Sequence, residues 1–174
     1  MPLYTQEERA RRDATPWTLV QGILAPIQFL VFLVSAALVI RFLVTGNGYL
    51  AATISVLVKT LVLYTIMITG CIWEKVVFGK YLFAPAFFWE DFVSMFVLAI
   101  HTAYIGVLVF QPPGVPARLQ MYIALTAYAA YAINAAQFLL KLRAARLEGE
   151  SAGRRNGAAG AARVASVQVA GGAT

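Results

Sequence analysis

Two adjacent carboxylates and the only histidine of this chain lie in one apolar stretch. Glu90 and Asp91 follow the run Ala-Pro-Ala-Phe-Phe-Trp at 84–89, and His101 follows ten residues later. Lys59 lies in the preceding apolar stretch. A charged side chain at the bilayer centre costs roughly 2.5 to 3.5 kcal/mol, so such residues usually line a polar site or pathway. These four residues can donate or accept protons, and they indicate acid–base chemistry inside a membrane protein.

The composition supports a membrane location, since 60% of the residues are hydrophobic and only 13% are charged. The mean hydropathy is +0.73, well above that of soluble domains. An apolar run of about 20 residues is long enough to cross a bilayer. The sequence contains four such runs, at roughly 17–42, 50–72, 86–110 and 119–140. Because the connections are short, we predict an all-α integral membrane bundle of four antiparallel transmembrane helices.

The basic residues are distributed unevenly around these four runs. In a four-span arrangement one side receives Arg9, Arg11, Arg12, Lys75, Lys80, Lys141, Arg143, Arg146, Arg154, Arg155 and Arg163. Only Arg41 and Arg118 fall on the other side. This asymmetry follows the positive-inside rule and places both termini in the cytoplasm. We therefore interpret the net charge of +6 as a topology signal and expect no nucleic-acid partner.

Three segments differ in composition and define the predicted domain organisation. Residues 1–15 are interpreted as a cytoplasmic N-terminal segment, in which Thr5 and Glu8 have capping-box spacing and favour a short surface helix. Residues 16–147 form the predicted four-helix transmembrane domain. Residues 148–174 are rich in Gly, Ala and Arg with few large apolar residues, so we expect a disordered cytoplasmic tail.

Polar residues recur at helical spacing in the apolar runs and indicate which faces point inward. The first, third and fourth runs each carry a stripe of polar residues along one helix face, and Tyr104 lies close to the stripe of the third run. These stripes are Gln21, Gln28 and Ser35; Glu90, Ser94 and His101; and Tyr131, Asn134, Gln137 and Lys141. We expect the three faces to meet in a shared polar interior.

Depth along the helices predicts which of these groups meet. With a rise of about 1.5 Å per residue, Lys59 and His101 both lie roughly 13 Å from the non-cytoplasmic end of their spans. We therefore expect them to meet near the midplane. Glu90 and Asp91 lie in the first turns of the third span, near the cytoplasmic face.

Structural roles are alternatives for several of these residues. Glutamines within spans often serve as interhelical hydrogen-bond partners, which is our interpretation of Gln21 and Gln28. Glu74 and Lys75 are interpreted as solvated charges at the membrane interface. Asp91 has the alternative of pairing with Lys75 or Lys80.

Residues 59–91, which end in Phe-Phe-Trp-Glu-Asp, resemble the 3-vinyl bacteriochlorophyllide hydratases. The segments 15–22, 101–104 and 134–141 are similar to the same family, and the likeness covers roughly residues 1–147. The resemblance implies a hydro-lyase of bacteriochlorophyll biosynthesis in the bacterial inner, photosynthetic membrane. The expected partners are a chlorophyllide or bacteriochlorophyllide pigment, membrane lipid and other pigment-biosynthesis enzymes. We expect no separate cofactor. The only magnesium expected is the one that the pigment substrate carries.

The implied reaction adds water across the C3 vinyl group to give a 1-hydroxyethyl group. Protonation of the terminal vinyl carbon leaves a cation on the carbon attached to the macrocycle, which delocalises it. Water then attacks this carbon and loses a proton. The site therefore needs a general acid that holds its proton near neutral pH and a base or carboxylate near the cation.

Site roles follow as hypotheses. Glu90 is assigned as the acid and Asp91 as the ionised partner, whereas His101 is assigned to the magnesium of the pigment or to a water on it. The opposite assignment, with His101 as the acid and the carboxylates as anchors, stays open. Lys59 is expected to pair with a pigment carboxylate or with Tyr104. The predicted substrate-binding residues are Lys59, Tyr104, Asn134 and Gln137.

Two other functions fit the same residues. A non-enzymatic pigment-binding or assembly protein with four spans would use His101 as a magnesium ligand. A small carrier would use Lys59 and Glu90, although no inverted repeat or broken helix is visible in the sequence.

Overall fold

The described part of the chain is all-helical. The computed structural model describes residues 3–110, 113 and 115–171. Its helices are α1 (Gln6–Ala14), α2 (Pro16–Thr45), α3 (Tyr49–Phe78), α4 (Phe88–Phe110) and α5 (Ala117–Gly171). Four segments are long and apolar enough to cross a membrane, namely Pro16–Thr45, Tyr49–Phe78, Phe88–Phe110 and Ala117–Leu147. The prediction of an all-α protein with four membrane-spanning helices is confirmed.

Local sequence signals set the ends of the long helices. Thr15 accepts a hydrogen bond from the backbone N–H of Trp17, with Pro16 at the first helical position of α2. Gly46 and Gly48 adopt left-handed φ angles of 74° and 87° in the tight turn between α2 and α3. Gly79 ends α3 in the same way, at φ 81°.

Helices α2 and α3 are joined by side-chain hydrogen bonds along their length. Gln21 Nε2 donates to Thr69 Oγ1 at 2.8 Å, which confirms the interhelical role predicted for this glutamine. Trp73 Nε1 donates to Thr18 Oγ1 at 2.9 Å, and the hydroxyls of Ser35 and Ser55 lie 2.7 Å apart. As the residue number rises along α2, the residue number of its hydrogen-bond partner on α3 falls.

Two apolar clusters of described residues lie on either side of a polar layer. The larger cluster is Val39, Phe42, Ala52, Val56, Tyr104, Met121, Ala124 and Tyr128. The smaller cluster is Leu63, Val97 and Tyr131. Lys59 and His101, which are both 0% exposed, lie between these clusters in the sequences of α3 and α4. Large apolar side chains such as Val44 and Phe110 are exposed on the outside, as expected for helices in lipid.

Helix α1 is docked on the protein by side chains around it. The predicted capping box is present, because Thr5 and Glu8 exchange both hydrogen bonds. Tyr4 is buried with its ring stacked on Phe78 at a centroid distance of 5.8 Å, and burial raises the pKa of Tyr4. Arg11 Nε also donates to a backbone carbonyl near the end of α3 at 2.9 Å. The predicted short surface helix is present, and this segment also covers one end of α3.

The chain divides into two compact units. Residues 4–137 form the unit that holds all the predicted site residues, and residues 138–171 of α5 belong to the other together with Leu3. Helix α5 continues through 148–171, where the sequence predicts a disordered tail. Residues 1, 2 and 172–174 lie outside the described residues. The predicted boundaries of the three segments stay predictions.

Replacing Gly79 by Ala should destabilise the protein by about 1 kcal/mol, because a Cβ is disfavoured in the left-handed region. The added atom would meet nothing within 4 Å, so the cost is conformational. Gly22 is the matched control, since it is helical and equally open, and Gly22→Ala should be neutral or stabilising. Denaturation of the purified protein in detergent measures both variants, and equal effects would contradict this explanation.

Candidate functional site

A lysine and the only histidine meet in the interior of the bundle. Lys59 on α3 and His101 on α4 are both 0% exposed, and Lys59 Nζ lies 2.9 Å from His101 Nε2. The prediction that these two side chains meet, made from their depth in the sequence, is confirmed.

The direction of the hydrogen bonds follows from the second ring nitrogen. His101 Nδ1 lies 2.8 Å from the carbonyl oxygen of Val97, which can only accept, so Nδ1 carries the hydrogen. Nε2 of the neutral ring therefore accepts, and Lys59 donates to it. Both ring nitrogens of His101 are engaged, so ligation of a metal through Nε2 requires Lys59 to move away.

Aromatic rings and hydroxyls from α5 and α2 complete this Lys59–His101 centre. Lys59 Nζ lies 3.9 Å from the ring centroid of Tyr131 and 5.7 Å from that of Tyr128. The short distance to Tyr131 is typical of a cation–π contact. The Tyr128 hydroxyl lies 2.5 Å from Ser35 Oγ. Lys59 Nζ thus contacts an imidazole nitrogen and an aromatic face.

Two predicted substrate-binding residues have buried oxygens that lack a good hydrogen bond. Tyr104 is 1% exposed, and its hydroxyl lies beside that of Thr53 without a well-formed hydrogen bond. Gln137 Oε1 is also buried and has no hydrogen-bond partner among the described residues. Lys59 contacts His101, and its predicted contact with Tyr104 is not among the interactions observed.

A second polar centre lies where α3 ends and α4 begins. Glu74 and Asp91 are 4% and 7% exposed. Asp91 Oδ2 accepts a hydrogen bond from the backbone N–H of Phe83, and Glu74 Oε1 accepts one from Ala84, both at 2.7 Å. The two side chains are also within hydrogen-bonding reach of each other. We call Glu74 and Asp91 the carboxyl pair.

The loop that supplies these two N–H groups has an unusual backbone. Phe83 adopts φ 58°, the only left-handed non-glycine residue in the described part of the chain. Successive N–H groups next to a left-handed residue can converge into an anion-binding concavity. The loop therefore presents adjacent donors to adjacent carboxyl groups.

The backbone of Glu90 is bound by a residue of α5. Its backbone carbonyl accepts a hydrogen bond from Asn134 Nδ2 at 3.0 Å, and Asn134 Oδ1 accepts from Ser94 at 3.1 Å. Asn134 of α5, a predicted binding residue, thus holds the first turns of α4. Glu90 itself is 8% exposed.

The predicted catalytic residues therefore belong to two centres. Glu90 and His101 are eleven positions apart on α4, which is about 16 Å along the axis. Among the described residues there is no group of three His, Cys, Asp or Glu side chains that could hold a metal ion. The structure separates the acidic end from the Lys59–His101 centre.

Three residues at these centres, Glu74, Tyr128 and Tyr131, were not predicted as site residues. Glu74 was expected to be a solvated interfacial charge, and this was wrong, because α3 continues past 72 and the loop folds back over its end. Lys75, its neighbour, is exposed and donates to the carbonyl of Gly79 at 2.8 Å. Tyr131 was noted only as part of a stripe, and its spacing gave no sign of the contact with Lys59.

Four apolar helices with lysine, histidine and carboxyl groups buried among them define a multi-pass membrane protein with an interior suited to proton transfer. The sequence profile of the 2-vinyl bacteriochlorophyllide hydratase (BCHF) family matches residues 4–144. The chain belongs to this family. The family resemblance found in the sequence is confirmed, and the names 3-vinyl and 2-vinyl differ only in how the group is numbered.

Two curated relatives carry the name 2-vinyl bacteriochlorophyllide hydratase. The protein of Rhodobacter capsulatus is 70% identical over 149 residues, which cover 86% of this chain and 85% of the relative. The protein of Cereibacter sphaeroides is 67% identical over 150 residues, which cover 86% of this chain and 92% of the relative. No solved structure matches this chain.

Removing His101 should cost more stability than removing Lys59. His101→Leu leaves the buried Lys59 amino group without its acceptor, at a cost of about 2 to 3 kcal/mol. Lys59→Met leaves only an imidazole nitrogen unpaired, at a cost of about 1 kcal/mol. The double variant should cost less than the sum, as measured by denaturation in detergent.

The matched control is the more exposed Tyr64–Thr102 hydrogen bond between the same two helices. Tyr64→Phe combined with Thr102→Val should cost about 0.6 kcal/mol. Equal costs for His101→Leu and Lys59→Met, with strict additivity, would contradict the assigned direction of the hydrogen bond.

Proposed function

We propose that this chain adds water to the vinyl group of a chlorophyllide or bacteriochlorophyllide pigment and forms the 1-hydroxyethyl product. The observation that carries this proposal is the identity of 70% and 67% to two proteins named as hydratases, over most of each chain. Addition of water is redox-neutral and needs only proton transfer, so the proposal includes no cofactor beyond the magnesium of the pigment.

The acidic end of α4 is the proposed place of the chemistry. Asp91 is the proposed carboxylate that stabilises the cation and accepts a proton from the attacking water. Its contact with the N–H of Phe83 and its position in the first turn of α4 support the ionised form, since a helix N-terminus favours negative charge.

The proton donor assigned from the sequence is Glu90, with His101 as the alternative. The hydrogen bonds of His101 favour a carboxyl donor, because its Nδ1–H is bound to Val97 and its Nε2 is occupied by Lys59. The same occupancy weighs against His101 as a ligand of the pigment magnesium. A pigment-binding protein that relies on that ligand is supported less well than an enzyme.

The substrate-binding roles of Lys59, Tyr104, Asn134 and Gln137 remain part of the proposal. Lys59 would have to leave His101 to pair with a pigment carboxylate. The buried oxygens of Tyr104 and Gln137 can each accept a hydrogen bond that the described residues do not supply. Asn134 would act by holding the first turns of α4.

The proposed setting is the bacterial inner, photosynthetic membrane, with the four spans antiparallel and both termini in the cytoplasm. The opposite order of hydrogen-bonded partners along α2 and α3 supports the antiparallel arrangement. The distribution of lysine and arginine supports the orientation. Membrane lipid and other enzymes of pigment synthesis are the proposed partners.

Membranes that contain the protein should convert vinyl chlorophyllide into a product heavier by one water molecule. The extracted pigment should also show a blue-shifted absorption band, because a vinyl group leaves the conjugated system. Control membranes lack the protein. A shift in the bound spectrum with an unchanged extracted pigment would identify a binding protein and contradict the proposed activity.

Asp91→Asn should lower kcat by a factor of about 10² to 10⁴, because an amide cannot accept the proton of water. Pigment binding, read from the spectrum of the bound pigment, should persist, since Asn can still accept from the N–H of Phe83. The exposed Asp13→Asn is the matched control and should turn over like the wild type. Normal turnover by Asp91→Asn would exclude the assigned role.

A further inference from the structure

Glu74 is the buried ionisable residue that the proposed mechanism does not yet use. It lies in the last turns of α3 and is 4% exposed. Its Oε1 accepts from Ala84 N–H, and the adjacent N–H of Phe83 binds Asp91. The two carboxyl groups thus bind consecutive backbone N–H groups, and their side chains lie within hydrogen-bonding reach of each other.

Two carboxyl groups within hydrogen-bonding reach of each other cannot both be ionised at low cost in free energy. Like charges this close, and out of water, are relieved when one group keeps a proton and donates it to the other. The side chains of Glu74 and Asp91 lie within hydrogen-bonding reach of each other, and a hydrogen bond between them needs a proton on one of them, because a carboxylate has no donor of its own. The arrangement therefore favours one neutral acid next to one carboxylate.

The surroundings of the carboxyl pair stabilise its single negative charge. Two backbone N–H groups donate to it, one to each residue. Asp91 also lies in the first turn of α4, where the helix dipole favours an anion. Phe83 adopts a left-handed backbone conformation that is disfavoured for a non-glycine residue, and the two hydrogen bonds offset the free energy that this costs.

We propose that Glu74 and Asp91 act as one unit that holds a single proton, and that Glu74 takes the place of Glu90 as the carboxyl group that works with Asp91. This inference rests on the proposed function, since it concerns the donor and acceptor of vinyl hydration. Glu74 is a positioning and proton-sharing residue for Asp91.

The proton balance of the reaction fits such a unit. The carboxyl pair transfers its proton to the terminal vinyl carbon, and the π electrons of the vinyl double bond form the new C–H bond. The pair is then doubly ionised, and the carbon next to the macrocycle carries the positive charge. The oxygen of water bonds to the carbon next to the macrocycle. The proton released from that water returns to the pair, which ends the cycle with one proton, as it began.

The test compares Glu74→Gln with Glu90→Gln in the full-length protein. Gln at 74 can still accept from Ala84 N–H and donate to Asp91, so the loop should keep its place. We expect Glu74→Gln to lower kcat by about 10² to 10⁴ with KM and pigment binding unchanged. The loss should exceed that of Glu90→Gln, and Glu74→Asp should restore part of the rate.

Infrared spectroscopy reads the shared proton without any turnover. The wild type should show a carboxylic acid C=O band that Glu74→Gln and Asp91→Asn each remove. The exposed Glu7→Gln should retain the band, as the matched control.

The outcomes separate the two proposals. If the wild type does not hydrate the pigment, the proposed function fails, whereas the infrared band still decides whether the pair holds a proton. Wild-type turnover by Glu74→Gln, or a larger loss in Glu90→Gln, overturns the role of Glu74. The shared proton is overturned if the wild type shows no carboxylic acid band, or if either substitution leaves the band in place.

Discussion

The structure depends on one constraint: a polar group carried into the bilayer by a helix must find its partner inside the protein, because lipid supplies none. The chain meets this constraint with hydrogen bonds that connect different helices. Lys59 and His101 join α3 to α4, Ser35 and Tyr128 join α2 to α5, and Asn134 joins α5 to α4. Interior polarity thereby fixes which helix faces meet.

Helices α3 and α4 contribute to two buried polar centres with different chemistry. The Lys59–His101 centre is fully enclosed, and its hydrogen-bonding groups are engaged with the protein. The carboxyl pair lies at the end of α3, under a loop that supplies two N–H groups. The first centre suits positioning and the second suits proton transfer.

The sequence predicted the helices and one of the two centres for physical reasons. Apolar run length fixes the spans, and constant helical rise fixes depth, so the meeting of Lys59 and His101 could be foreseen. Glu74 could not, because its burial depends on how the loop before α4 folds back, which no periodicity encodes. The left-handed Phe83 gives no signal in the sequence either. The pairing of Asp91 therefore required the structure.

Hydration of the vinyl pigment in isotopically labelled water tests the central claim most directly. The account predicts that, in deuterated water, one deuterium enters the terminal methyl carbon. In water labelled with heavy oxygen, it predicts one labelled oxygen on the carbon next to the macrocycle. Both labels should enter in the wild type and be nearly lost in Glu74→Gln. Unlabelled pigment recovered from active wild-type membranes, or the same labelling in wild type and Glu74→Gln, would contradict it.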